Sequence, residues 1–239
     1  SRDSTKGRSV AITALVFEHA SPVIDFNTDA LGKDAAFLAS ALPEAALQDP
    51  SSPLYGLSLG PVVLGGHSMG GGTAVLAAAA APKATGMALF APGLYTLPPA
   101  RPVLKDVSMP SLIVSGSNDC GPNALPKQAQ PAYDGLASTA KFLVVLKGAN
   151  HCQWAEPTEK FFGVCKHKEC AHLSPEDQRY LGVELVSAFF AALNAGNASY
   201  DAFEEYLAAG EKNGTWTFLS AQTTPGKAVR NECPCNGEA

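Results

Sequence analysis

A chain of 239 residues, 46% of them hydrophobic and 16% charged, carries enough apolar material for one sizeable core and is not a disordered segment. Its net charge of −5 and pI near 5.5 give no electrostatic footprint for nucleic acid, and no basic run suits an anionic membrane surface. A mean hydropathy of +0.04, with no uninterrupted window of about 18 apolar residues, argues against an integral membrane segment.

Residues 1–8 are polar, and residues 10–17 (Val-Ala-Ile-Thr-Ala-Leu-Val-Phe) predict a strand. Leu31, Ala35, Leu38 and Leu42 recur at helical spacing over residues 28–47, with Thr28-Asp29 as the start. After the turn Asp49-Pro50-Ser51-Ser52-Pro53, residues 62–64 predict a buried strand and residues 73–81 a helix that Pro82 ends. Residues 87–90, 111–115 and 141–146 read as further buried strands, and residues 93–110 as an irregular connection. A helix is expected around 127–136, then a long loop over 156–175. A helix over 175–193 follows, capped by Ser174 with Glu176 and Asp177 in its first turn. A second helix covers 200–209, and the residues beyond Gly210, with Trp216 and Phe218, read as a tail. Strands alternating with helices imply an α/β protein, a mainly parallel sheet with helices on both faces. Residues 1–210 form the domain and 211–239 the tail.

Gly66-His67-Ser68-Met69-Gly70 stands between a predicted strand and a helix of small residues, which is the setting of a G-x-S-x-G nucleophile turn. A serine on so sharp a turn leaves no room for bulky neighbours two before and two after. It also sits at a helix N-terminus, where the dipole and the Met69 N–H favour a developing oxyanion. Asp119 follows the strand at 111–115, and His151 follows the strand at 141–146. Serine needs an imidazole to take its proton, and the imidazole needs a carboxylate to hold its tautomer. The order Ser, Asp, His, each at the carboxyl end of a predicted strand and the last two at successive ones, is that of the α/β-hydrolase fold. His67 and Trp154 are the nearest residues that could meet a substrate, though packing roles suit both.

The six cysteines and the sequons at Asn197 and Asn213 point to a secreted, extracellular protein. Cys120 follows the acid and Cys152 follows the base, so a triad contact would bring the two near disulfide range; two free thiols are the alternative. Cys165 and Cys170, with His167 and His172 close by, fit no structural zinc spacing and suit a small disulfide loop better. Cys233 and Cys235 leave three pairings open: with each other, with a second chain, or with a missing segment. No metal and no cofactor is expected.

The stretches Gly66–Gly72, Leu112-Ile113-Val114 leading to Asn118-Asp119, and Gly148-Ala149-Asn150-His151 resemble the dienelactone-hydrolase-related α/β-hydrolases. Within these they are most similar to the polyester-hydrolase and cutinase-like branch, with platelet-activating-factor acetylhydrolases and chlorophyllases as neighbouring groups. The resemblance covers residues 10–209. It implies a lidless ester hydrolase without a cofactor, and a disulfide near the active-site loops as in some polyester hydrolases. It also implies several strands before the nucleophile, where this sequence offers only residues 10–17. About three strands and the second oxyanion donor are therefore expected upstream of Ser1, and residues 1–239 alone should be poorly soluble and nearly inactive.

The function expected is a monomeric serine esterase acting on a small or polymeric ester. A serine peptidase on the same fold, and a hydrolase-like binding protein that has lost turnover, are the alternatives.

Overall fold

The computed structural model describes residues 28–57, 60–81, 83–96, 98–120, 124–154, 172–196 and 200–221. The predicted strand at 10–17 and the cysteines at 165, 170, 233 and 235 lie outside them, as do Asn197 and the alternative ligand His167.

Among the described residues, five strands form one sheet in the order β1 (Val63–His67), β2 (Gly86–Phe90), β3 (Ser111–Gly116), β4 (Lys141–Leu146) and β5 (Trp216–Ser220). The first four are parallel and β5 runs antiparallel to β4. Among the described residues β1 pairs only with β2.

The strands are apolar on both sides because both faces are covered. Their twofold alternation sends Leu64, Ile113, Leu143, Val145 and Leu219 into one core. This core packs under α1 (Thr28–Gln48), α2 (Met69–Ala80) and α3 (Ala129–Gly135). Leu112, Val114, Phe142, Val144 and Phe218 enter a second core with α4 (Pro175–Asn194) and α5 (Asp201–Lys212). The sheet is thus sandwiched between helices, an α/β architecture.

Small residues govern the closest helix packing. A Cβ on Gly32 of α1 would lie 3.2 Å from Leu76 Cβ of α2, and buried Ala36, Ala39, Ala74 and Ala77 join the same core. Helix α2 starts at Met69, four residues before the sequence suggests, because glycines 70–72 carry little helical signal of their own. The connection at 93–110 contains a 3₁₀ helix, Arg101–Asp106.

The C-terminal boundary differs more. Residues 211–220 are not a tail: α5 continues to Lys212, and β5 pairs with β4 in the sheet. Trp216 anchors this segment, 4% exposed, with its indole N–H donating to Leu207 O at 2.9 Å. Gly210 makes the room, since a Cβ there would meet Trp216 Cζ2 at 1.9 Å. Trp216→Ala should therefore cost about 3–5 kcal/mol in urea unfolding. An unchanged midpoint would show that this strand is not part of the core.

Candidate active site

The parallel strands deliver three loops to their carboxyl ends, where functional groups collect in open α/β sheets. Ser68 follows β1, the segment 117–120 follows β3, and the segment 147–154 follows β4.

Ser68 has φ 54° and ψ −122°, a strained conformation for a residue with a Cβ. Backbone bonds hold it there. Its N–H donates to Phe90 O (3.0 Å), and its carbonyl accepts from Gly71 N (2.9 Å), Gly72 N (3.3 Å) and Gly93 N (2.7 Å). Serine at a helix N-cap ordinarily spends its hydroxyl on the first turn. Here the hydroxyl makes no capping bond and lies 2.9 Å from His151 Nε2.

The glycine requirement around this turn is one-sided. A Cβ on Gly66 would come within 2.3 Å of the Gly70 backbone, whereas a Cβ on Gly70 would meet nothing within 4 Å. The steric demand expected at both positions falls on Gly66. It extends to Gly72, where a Cβ would meet Gly93 O at 2.2 Å.

His151 Nδ1 lies 3.1 Å from Asp119 Oδ2, with Asp119 fully buried and His151 8% exposed. An ionised carboxylate only accepts, so Nδ1 carries the proton and Nε2 is left to accept from the Ser68 hydroxyl. Burial pushes the Asp119 carboxyl up from its ordinary value, and the bond to His151 pulls the other way. Ser68, His151 and Asp119 are therefore brought together in hydrogen-bonding sequence, as residue order suggests.

His67 is placed differently from a group awaiting substrate. Its Nε2–H donates to the His151 carbonyl at 2.8 Å, and the two imidazole rings are 4.8 Å apart. Trp154 packs tilted against Phe90 at 5.1 Å and against Gly182, where a Cβ would be 3.2 Å from its ring. Cys120 and Cys152 are both disulfide-bonded. Asn213 is exposed at the C-cap of α5.

Sequence reading missed the residues that hold these loops. Ser117 Oγ accepts from Gly148 N (2.9 Å) and donates to Asn118 Oδ1 (3.0 Å). Asn150 Oδ1 accepts from the N–H groups of Cys152 (3.0 Å) and Gln153 (3.1 Å). Gln178 of α4 bonds the Asn150 backbone twice. Ser117 and Asn150 adjoin the predicted triad, so proximity was a usable signal. Gln178 is 28 positions away, and no pattern in the sequence connects it to the loop.

Among the described residues, no group of three or more His, Cys, Asp or Glu is placed to hold a metal ion, and no helix is long and apolar enough to cross a membrane. No protein-family model matches this sequence, and no curated protein matches it.

Burial, and then the neighbouring His151, push the His67 imidazole down from 6.5 to about 4. Between those values the unfolded chain takes up a proton that the folded protein refuses. Stability is therefore lost as pH falls through this window, by up to about 3 kcal/mol. The raised Asp119 carboxyl acts in the opposite sense, because the folded state protonates first. Comparison with His67→Gln, which keeps an N–H donor, isolates the histidine. Denaturant unfolding at pH 7 and pH 4.5 should show a smaller acid loss in the variant, and identical losses would mean that His67 titrates normally.

Proposed function

We propose that this protein is a secreted serine hydrolase of the α/β-hydrolase fold that cleaves carboxylic esters, with Ser68 as nucleophile, His151 as base and acid, and Asp119 as the orienting carboxylate. The observation that carries the reading is the unbroken chain Asp119–His151–Ser68, at 3.1 and 2.9 Å, ending on a serine held at positive φ. Resemblance of the three motifs to the polyester-hydrolase and cutinase-like branch favours an ester in a polymer or lipid as substrate.

In this reading the Ser68 hydroxyl attacks the ester carbonyl while His151 Nε2 takes its proton. The imidazolium so formed is stabilised by buried Asp119, where low polarity strengthens the attraction. Negative charge on the carbonyl oxygen is met by the Met69 N–H at the start of α2, with the helix dipole behind it. His151 then returns the proton to the departing alcohol, leaving an acyl-Ser68. Water attacks the acyl group with His151 again as base, and the acid leaves as serine is restored.

Ser68→Ala and His151→Ala should each lower kcat on a simple aryl ester by about 10⁴–10⁶-fold, and the double variant little further. A fluorophosphonate should label Ser68, and a peptide anilide should turn over far more slowly than the ester. Retention of most esterase activity by Ser68→Ala in the full-length protein would falsify the assignment. Labelling without turnover would favour a binding protein, and preference for the anilide a peptidase.

The disulfide-bonded state of Cys120 and Cys152 supports pairing between them, a staple joining the acid loop to the histidine loop. Replacing both should cost about 2–4 kcal/mol and loosen the two loops before the core melts. Non-reducing peptide mapping decides the pairing: a peptide joining either cysteine to another partner would end it.

A further inference from the structure

The reach of His151 toward Ser68 depends on the two peptide groups that flank it, and both are held. In the peptide after His151, the carbonyl accepts from His67 Nε2 at 2.8 Å and the Cys152 N–H donates to Asn150 Oδ1 at 3.0 Å. In the peptide before it, the Asn150 carbonyl accepts from Gln178 Nε2 at 2.8 Å. The same side chain accepts the Asn150 N–H on its Oε1 at 3.0 Å. One primary amide thus satisfies both backbone groups of the residue next to the histidine.

The pair is sealed and anchored. Gln178 is fully buried and Asn150 is 4% exposed, so water does not substitute cheaply for either bond. Ser174 Oγ caps the Asp177 N–H at 3.1 Å, and the Gln178 N–H donates to Ser174 O at 2.9 Å, fixing the first turn of α4. One turn further on, Gly182 lets the helix press against Trp154, which belongs to the same histidine loop. An apolar side chain at 178 would leave two buried backbone groups unpaired, and an ionised carboxylate would face a carbonyl oxygen.

We propose that Gln178 is a positioning residue for His151, which holds the histidine loop from α4 so that Nε2 stays in line with the Ser68 hydroxyl. This inference rests on the triad reading above. It assigns Gln178 no contact with substrate, so its loss lowers kcat and leaves KM nearly unchanged.

The test uses Gln178→Met, similar in length but unable to make either bond, against Leu185→Ala, which removes buried volume from the same helix. In Gln178→Met, kcat on an aryl ester should fall about 10–100-fold with KM within about twofold, because a small misplacement of the base suffices. Fluorophosphonate labelling of Ser68 should slow in parallel, and the Asn150 amide should exchange faster. Leu185→Ala should lower the melting temperature while keeping kcat. If Gln178→Met does not fold, Gln178→Glu carries the same readouts, since it keeps the acceptor for the Asn150 N–H and loses the donor to its carbonyl. Wild-type kcat and labelling rate in a folded Gln178 variant overturn the proposal, as does an equal loss of kcat in Leu185→Ala. Full-length wild-type protein that neither hydrolyses ester nor labels at Ser68 overturns the triad reading, and the Asn150 exchange rate then still tells whether the clamp exists.

Discussion

The carbonyl oxygen of Ala149 lies only 2.1 Å from where a Cβ on residue 116 would be. Glycine at 116 lets the acid loop and the histidine loop meet backbone to backbone at the ends of β3 and β4. Across that contact Asn118 N donates to Ala149 O at 2.9 Å, and Ser117 N donates to Leu146 O at 2.9 Å. The Ser117 hydroxyl returns a bond from Gly148 N. These bonds tie the loop that carries Asp119 to the loop that carries His151. Any side chain at 116 would have to move one loop, and a shift of even a few tenths of an ångström matters to a hydrogen bond.

The serine presents a different problem. A residue with a Cβ at φ 54° costs of order 1–3 kcal/mol, and the conformation persists only where its surroundings over-determine it. Four backbone hydrogen bonds to the Ser68 peptide groups do so, drawn from β2, the loop after β2 and the first turn of α2. The strain keeps the hydroxyl off the helix and aims it at the imidazole. The loop after β2 can approach because it also contributes glycine: a Cβ on Gly93 would sit 3.3–3.4 Å from the Ser68–Met69 peptide.

Two histidines in ring contact create an electrostatic constraint as well. Were both protonated, two positive charges would share a partly buried site 4.8 Å apart. Holding His67 neutral removes that conflict, and its N–H on the His151 carbonyl turns the neutral ring into a support. Asp119 is buried enough that its charge depends on the hydrogen bond from His151. The acid, the base and the supporting histidine therefore form one electrostatic unit, in which a change at any member alters the others.

Local chemistry alone reveals much of this protein. Strand and helix periods differ enough to place β2, β3, β4, α1 and α4 within a residue or two, and a capping serine marks the start of α4. Glycines flanking Ser68 between a strand and a helix identify the turn, and three strand ends identify its partners, because parallel sheets place such ends together. Other features required the chain to close on itself. Trp216 and Phe218 look like tail residues until Gly210 opens a slot for the indole and β4 offers an edge. Gly66 and Gly70 are equivalent in the motif, and only the fold shows that backbone crowds the first and leaves the second open. His67 suits either packing or substrate contact in the sequence, and only the fold puts its N–H on the His151 carbonyl; Gln178 carries no signal at all. The reason is common to these cases. A hydrogen bond between residues 28 or 84 positions apart leaves no periodicity to read, so its partners are decided by which surfaces the packed helices and strands bring into contact.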